Sequence, residues 1–402
     1  MNLSSRIISM QESPIRKLAP YAVAAKKSGK KIYHLNIGQP DILTPPAFMD
    51  TIANYCEKVL AYSPSEGIPE LIQAIIKYYK GYDINFEENE ILVTNGGSEA
   101  LLFSIIAIAD AGDEVLVPEP FYANYSSFCS AVDVNIVPVT CKAEEGFHLP
   151  PKSHIESLIS PKTKAIMVCN PGNPTGVVYS KEEIKMLCDI ALERNLFIIS
   201  DEVYREFVYD GLEFTSFANM KETEDRVVIV DSISKRFSAC GARIGSIASK
   251  NKNLIAQVLK LCQSRLCAPT LEQIGAIQLY NTDQIYFKSV NEEYENRRNI
   301  IYKSLSNIPN IICRKPTGAF YVIAKLPIED AEDFAIFLLK DFSINNETVM
   351  LAPAKGFYST PGLGNDEVRI AYILKEEDLV KAMEILNQGL TEYTNRKNML
   401  LK

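Results

Sequence analysis

Lys235 stands among hydroxyls in the run Ser232-Ile-Ser-Lys235, straight after the apolar stretch 227–230, and Arg243-Ile-Gly245 follows eight residues on. A lysine held in such a setting is a candidate imine-forming nucleophile. Upstream, Asp201-Glu-Val-Tyr204 closes the apolar run 197–200. Burial there makes a lone carboxylate costly, so Asp201 needs a cation or an N–H partner, and the Tyr204 phenol can point to the same place. Thr94-Asn-Gly-Gly97-Ser98-Glu99 follows a strand-like run and opens a helical one. Glycines in such a turn let backbone N–H groups approach an anion, and a helix N-terminus attracts phosphate. Ser232 adds a hydroxyl donor, and Arg243 adds a planar cation suited to phosphate. In Asn170-Pro-Gly-Asn173-Pro-Thr-Gly176 the prolines and glycines define a rigid loop. Such a loop holds Asn173 as a fixed hydrogen-bond donor.

Taken together, these groups suit a planar ring with a phosphate tail, a protonatable nitrogen, a hydroxyl and an aldehyde, which is pyridoxal phosphate. The ordered set resembles the fold-type I pyridoxal-phosphate aminotransferases of the aspartate aminotransferase class, over nearly the whole chain. It carries Asn-Pro-x-Asn-Pro-Thr-Gly at 170–176, Asp-Glu-x-Tyr at 201–204, and Ser-x-Ser-Lys at 232–235 with Arg-Ile-Gly at 243–245. The resemblance implies that Lys235 forms the imine and carries the proton to and from the substrate Cα. Asp201 would pair with the pyridine nitrogen, and Tyr204 and Asn173 would bond the ring hydroxyl. Gly97, Ser98, Ser232 and Arg243 would hold the phosphate. Tyr122 would stack on the ring, in a place that is tryptophan in several relatives; this chain has no tryptophan. Arg369 would clamp the substrate α-carboxylate, with Gly38 and Asn173 beside it. Tyr62 would reach the phosphate of a neighbouring subunit, which implies a homodimer with shared active sites.

The implied reaction is ping-pong transfer of an amino group from an L-amino acid, aspartate favoured, to 2-oxoglutarate. A lysine that some relatives use for the distal carboxylate is Ser98 here. Arg265 is the candidate in its place, with Arg16 and Arg236 as further ones. An aromatic, methionine or broad-range aminotransferase and a β-elimination lyase are the alternatives.

Seven apolar runs must supply the scaffold: 90–94, 114–118, 135–139, 165–170, 197–201, 226–232 and 244–249. Between them lie helical patterns such as 98–109 and 181–195, the second opened by the capping-box spacing Ser180-Lys-Glu-Glu183. Apolar strands separated by helices predict an α/β fold whose seven-stranded, mainly parallel sheet is flanked by helices. This large cofactor-binding domain is expected over 46–290. A charged helix at 291–305, strands near 318–323, 349–352 and 367–372, and helices near 332–341 and 376–397 predict a smaller α+β domain, completed by residues 1–45. Ligands gather at the carboxyl ends of strands in open α/β sheets, and the motifs fall at such ends.

The composition is that of an ordinary globular protein, 47% hydrophobic and 23% charged over 402 residues. A net charge of −8 argues against a nucleic-acid partner. The apolar run 101–109 is too short to span a membrane, and the first ten residues lack a secretory core. Nine cysteines without a Cys-x-x-Cys pair read as reduced thiols of a cytoplasmic protein, Cys240 among them in a packing role. Three histidines are too few and too dispersed for a metal site. A transcriptional regulator built on such a domain carries a DNA-binding module in front, for which the residues before Asn36 are expected to leave no room. Ser232-x-x-Lys235 also has the spacing of serine–lysine acyl transferases, but their companion Lys-Thr-Gly and Ser-Asp-Asn tripeptides do not occur. Purified protein is expected to show the visible absorbance of a lysine–cofactor imine, and Lys235→Ala is expected to abolish it. A band that survives the substitution removes Lys235 from this role.

Overall fold

In the computed structural model, which describes residues 1–400, the chain forms twelve strands: β1 (Lys31–His34), β2 (Ile91–Thr94), β3 (Glu114–Glu119), β4 (Asn135–Thr140), β5 (Thr163–Cys169), β6 (Phe197–Asp201), β7 (Val227–Ser232), β8 (Gly245–Ala248), β9 (Tyr321–Lys325), β10 (Glu347–Met350), β11 (Ala352–Pro353) and β12 (Glu367–Ala371). Seven of them form one sheet in the order β2-β8-β7-β6-β5-β3-β4. β8 runs antiparallel to β2 and β7, and the remaining pairs are parallel. Successive residues of a strand face opposite sides, and here each side has its own core. Ile198, Val227 and Ile229 join one apolar cluster, while Ile199, Val228 and Val230 join the other. Both faces are therefore buried, which is why these strands read as continuous apolar runs rather than alternating ones.

A second body surrounds the antiparallel sheet β11-β12-β9. Its core gathers Phe320, Leu338, Val349 and Ile370, and the helices Gln284–Ser306 and Glu376–Leu400 pack together over it. The N-terminal β1 belongs here, because it pairs in parallel with β10.

Three expected elements differ from those observed. The charged helix begins at Gln284, where the Asp283 carboxylate accepts from the Ile285 N–H at 2.9 Å and caps it. The run 349–352 is divided between two sheets, since β10 pairs with β1 whereas β11 pairs with β12. The strand expected from 318 starts at Tyr321, after Ala319 with its positive φ of 53°.

The carboxyl ends of β2, β6 and β7 meet at the Gly96-Gly97 turn, with Gly245 of β8 pressed against it. A Cβ on Gly245 would lie 2.6 Å from the Gly96 carbonyl carbon and 2.7 Å from both the Asp231 oxygen and the Gly97 nitrogen. All three are backbone atoms and cannot rotate away. Gly241, by contrast, has open space around its Cβ position. Gly245→Ala is expected to cost about 1–3 kcal/mol of stability, read as a lowered urea midpoint, while Gly241→Ala stays within roughly 0.5 kcal/mol of the parent. Equal midpoints for the two variants would refute this account of the turn.

Candidate active site

A cavity of about 810 Å³ opens where these strand ends face the second body. Lys235 enters it from the short helix Ile233–Arg236, which the Ser232 hydroxyl caps by accepting from the Ser234 N–H at 3.1 Å. The Lys235 ammonium donates to the Gly38 carbonyl at 2.8 Å and lies 4.0 Å from the Cys240 sulfur. Burial pushes its amine below the usual lysine range. The Cys240 thiol opposes that shift, and the Arg369 and Arg243 guanidiniums reinforce it. Cys240 thus lines the cavity beside the amine, in addition to any packing role.

Asp201 ends β6 and is 4% exposed. Its carboxylate accepts from the Tyr125 hydroxyl at 2.7 Å and from the Val203 N–H at 3.4 Å. It makes no ion pair with a lysine or arginine among the described residues. Burial raises the carboxyl to about 6, against the pull of those two donors. Tyr204 is also buried, and its phenol meets the Tyr321 hydroxyl at 3.0 Å and the Asn173 amide at 3.5 Å. Burial holds that phenol well above its ordinary range, so it stays protonated.

Gly97 opens the helix Gly97–Ile108, whose N-terminus has no side-chain cap. Its N-cap, Gly96, has φ +77°, and a Cβ there would strike the Arg243 guanidinium, with Cζ at 2.8 Å. Sequence reasoning assigned Gly97 and Ser98; the glycine that sterics require is Gly96, because Arg243 fills the space over it. Arg243 is itself held at positive φ and donates to the Cys240 carbonyl at 3.0 Å. Gly97, Ser98, Ser232 and Arg243 therefore share one end of the cavity.

Arg369 comes from β12 and is 1% exposed. It donates to the Asn36 carbonyl at 2.6 Å and to the Asn173 side-chain oxygen at 3.1 Å, and its Nε has no partner. The Tyr321 and Phe357 rings stack near it, with centroids 4.6 and 5.0 Å away. Gly38 lies against the Tyr321 phenol, which leaves no room for a larger residue. Tyr122 lines the cavity too and accepts a hydrogen bond from Asn124 at 2.7 Å.

Three expected residues lie elsewhere. Arg265 ends the helix Lys252–Arg265, 3.5 Å from Glu99 and bonded to the Val93 carbonyl at 3.1 Å, outside this chain's cavity. Arg236 points away from the cavity and is paired to Asp231. Its place next to Lys235 in sequence put it on the opposite face, so it cannot meet a substrate. Tyr62 is 79% exposed and outside the cavity. Tyr125 and Tyr321 went unrecognised, although Tyr125 stands one helical turn beyond Tyr122 and Tyr321 faces Arg369. Helical and strand spacing from known neighbours was the available signal. Arg16 lines the cavity mouth together with Lys26.

The model of the aminotransferase class I and II family matches residues 30–386. The chain belongs to this family. It is 30% identical to the aspartate aminotransferase of Bacillus subtilis, over 98% of this chain and all of that one. Among solved structures it superposes on the aspartate aminotransferase of Thermotoga maritima with TM-score 0.88 at 29% identity, covering 97% of this chain and all of that one. It likewise matches the alanine aminotransferase of Pyrococcus furiosus with TM-score 0.89 at 30% identity, covering 97% and 100% of the two chains.

As an aminotransferase of this family, the enzyme uses pyridoxal phosphate. Its residues fit that group. A buried carboxylate lacks a cation, an uncapped helix N-terminus faces an arginine and two serines, and a desolvated lysine lies between them. Asp201 would meet the ring nitrogen, and Gly97, Ser98, Ser232 and Arg243 the phosphate. When bound, the cofactor supplies an electron-withdrawing ring that acidifies the amino acid's Cα–H. Among the described residues no cluster of His, Cys, Asp or Glu could hold a metal ion.

The raised Asp201 carboxyl has a thermodynamic sign. The folded, cofactor-free aminotransferase keeps this proton up to about 6, whereas the ordinary value is 3.8. The associated stability is present below the lower value and is lost as pH rises through the upper one. In cofactor-free protein, Asp201→Asn is expected to melt at a higher temperature than the parent at pH near 8. The difference should shrink as pH falls toward about 4. A pH-independent difference in melting temperature would exclude an Asp201 charge as its source.

Proposed function

We propose that this aminotransferase moves the amino group of a dicarboxylic amino acid, aspartate first, to 2-oxoglutarate. The supporting observation is a pair of arginines that open on the cavity without an acidic partner among the described residues, Arg369 and Arg16. Lining the cavity are five cations (Arg16, Lys26, Lys235, Arg243 and Arg369) and one carboxylate, Asp201. Phosphate accounts for part of that positive excess, and a substrate with two carboxylates for the rest. Arg369 grips the α-carboxylate through its fork. Arg16 takes the distal carboxylate, in the place that Arg265 and Arg236 leave empty.

Within this reading, Asp201 keeps a proton on the ring nitrogen. Tyr204 donates to the ring oxygen, with Asn173 beside it. Lys235, its amine easier to deprotonate through burial, takes the proton from Cα and later returns it. Gly38, whose carbonyl holds the Lys235 ammonium, keeps that amine in reach of the α-carbon. Tyr122 covers the ring face.

We further propose a cytoplasmic homodimer with shared sites. The segment around exposed Val59, Leu60 and Tyr62 is bonded to the Arg265–Leu266 turn by Ser65, whose hydroxyl donates to the Leu266 carbonyl at 2.6 Å. Tyr62 and Arg265 thus share one face, which would turn to a second copy. The names of the Bacillus and Thermotoga relatives support aspartate, and that of the Pyrococcus neighbour makes alanine the competitor.

A panel of amino donors with 2-oxoglutarate, followed through the cofactor's absorbance change, tests the reading. Aspartate is expected to give the highest kcat/KM. Arg16→Ala should cost about 10- to 100-fold in kcat/KM for aspartate, the value of a charge-assisted hydrogen bond, while leaving alanine nearly unchanged. Alanine, methionine or an aromatic donor outrunning aspartate would overturn it.

A further inference from the structure

Behind the cavity lies a buried quartet of charges, Glu202, Arg205, Asp231 and Arg236. The side chains are at most 2% exposed. Arg205 bridges Glu202 at 2.6 Å and Asp231 at 3.3 Å, and Arg236 pairs with the other Asp231 oxygen. None of the four lines the cavity. Two acids and two guanidiniums sum to zero, so the group carries no net buried charge.

Each member is the sequence neighbour of a residue that does line the cavity. Glu202 follows Asp201, Arg205 follows Tyr204, Asp231 precedes Ser232, and Arg236 follows Lys235. Adjacent residues at the ends of β6 and β7 point to opposite sides, and a step of about 100° along the helix separates Lys235 from Arg236, so the backbone that presents four groups to the cofactor presents these four to one another. The links are directional. Asp231 accepts from the Ser232 N–H at 2.7 Å and from the Tyr79 hydroxyl at 3.3 Å. Glu202 accepts from Ser216 at 2.8 and 3.0 Å, from Ser200 at 2.9 Å and from the Phe217 N–H at 3.3 Å. The Arg236 guanidinium lies 4.4 Å from the Tyr78 ring centroid.

We propose that this quartet positions the cofactor-facing residues, with Arg236 and Asp231 as positioning residues that set the attitude of Lys235 and Ser232. Apolar side chains of similar volume could fill the same space at comparable stability. What they would not supply is a fixed direction between β6, β7 and the helix that carries Lys235. The inference rests on the assignment of Asp201, Tyr204, Ser232 and Lys235 to the cofactor.

The test compares Arg236→Met, Arg236→Lys and the charge-balanced double variant Asp231→Asn/Arg236→Met. Each is measured for melting temperature without cofactor, affinity of the cofactor-free protein for pyridoxal phosphate, visible absorbance per bound cofactor, kcat and KM. Arg236→Met is expected to bind the cofactor more weakly, to show less visible absorbance per bound molecule, and to lose about 100-fold in kcat. Its KM for the amino donor should hold, because Arg369 and Arg16 belong to the other body. Arg236→Lys, which keeps the charge, should fold and recover part of kcat even where Arg236→Met does not fold. The double variant should regain melting temperature but not kcat. Full recovery of kcat by the double variant would overturn the proposal and leave the quartet a packing element. Parent-like absorbance and kcat in Arg236→Met would overturn it equally. Visible absorbance that survives Lys235→Ala would instead sink the assignment on which the inference rests.

Discussion

Asp201 ends a buried strand with two neutral donors for company, the Tyr125 hydroxyl and the Val203 N–H. Across the same cavity Arg369 is buried with two neutral acceptors and an unpartnered Nε. Each group needs an opposite charge that its own surroundings withhold, since desolvated charges are costly without one. Asn173 and Tyr204 stand between them, bonded to each other, and Asn173 also takes up the Arg369 fork. That polar divider keeps the carboxylate and the guanidinium from satisfying one another. The protein therefore holds in reserve an electrostatic demand at each end of one cavity, and only a ligand of matching pattern relieves both.

Much of this was written in the sequence, and the reason is geometric. Residues 94–99, 170–176, 201–204 and 232–245 fall at strand ends of one mainly parallel sheet, so chain-local motifs become spatial neighbours without long loops. The Ser180 capping box was legible for the same reason, since both partners lie within one turn. Contacts across bodies were not. The sequence favoured Arg265 over Arg16 for the distal carboxylate, yet Arg16 is the one that lines the cavity, and Tyr321 meets Tyr204 across 117 positions. Arg236 shows the limit of adjacency. It directly follows Lys235 on the short helix, and that single helical step of about 100° turns it away from the cavity.

Glycine placement shows a related division between what composition suggests and what packing requires. Two glycines in the 96–97 turn suggested an anion site at Gly97 and Ser98. The steric demand falls on Gly96, under the Arg243 guanidinium, and on Gly245, wedged against three backbone atoms. Both follow from the antiparallel insertion of β8 between β2 and β7. That insertion brings Arg243 over the helix N-terminus, and the price is a backbone crossing too close for any side chain.

The pairing of β1 with β10 fastens an N-terminal strand to one formed after residue 346. Apart from Tyr62, assigned to the phosphate of a neighbouring subunit, every residue assigned to the ring and phosphate lies between 97 and 243, whereas the Arg369 fork closes on the Asn36 carbonyl across 333 positions. During synthesis, the sheet that receives the cofactor is complete before the grip on the substrate has a second jaw. The residues that would hold the cofactor and the one that would grip the amino acid are thereby separated in the order of synthesis as well as in space.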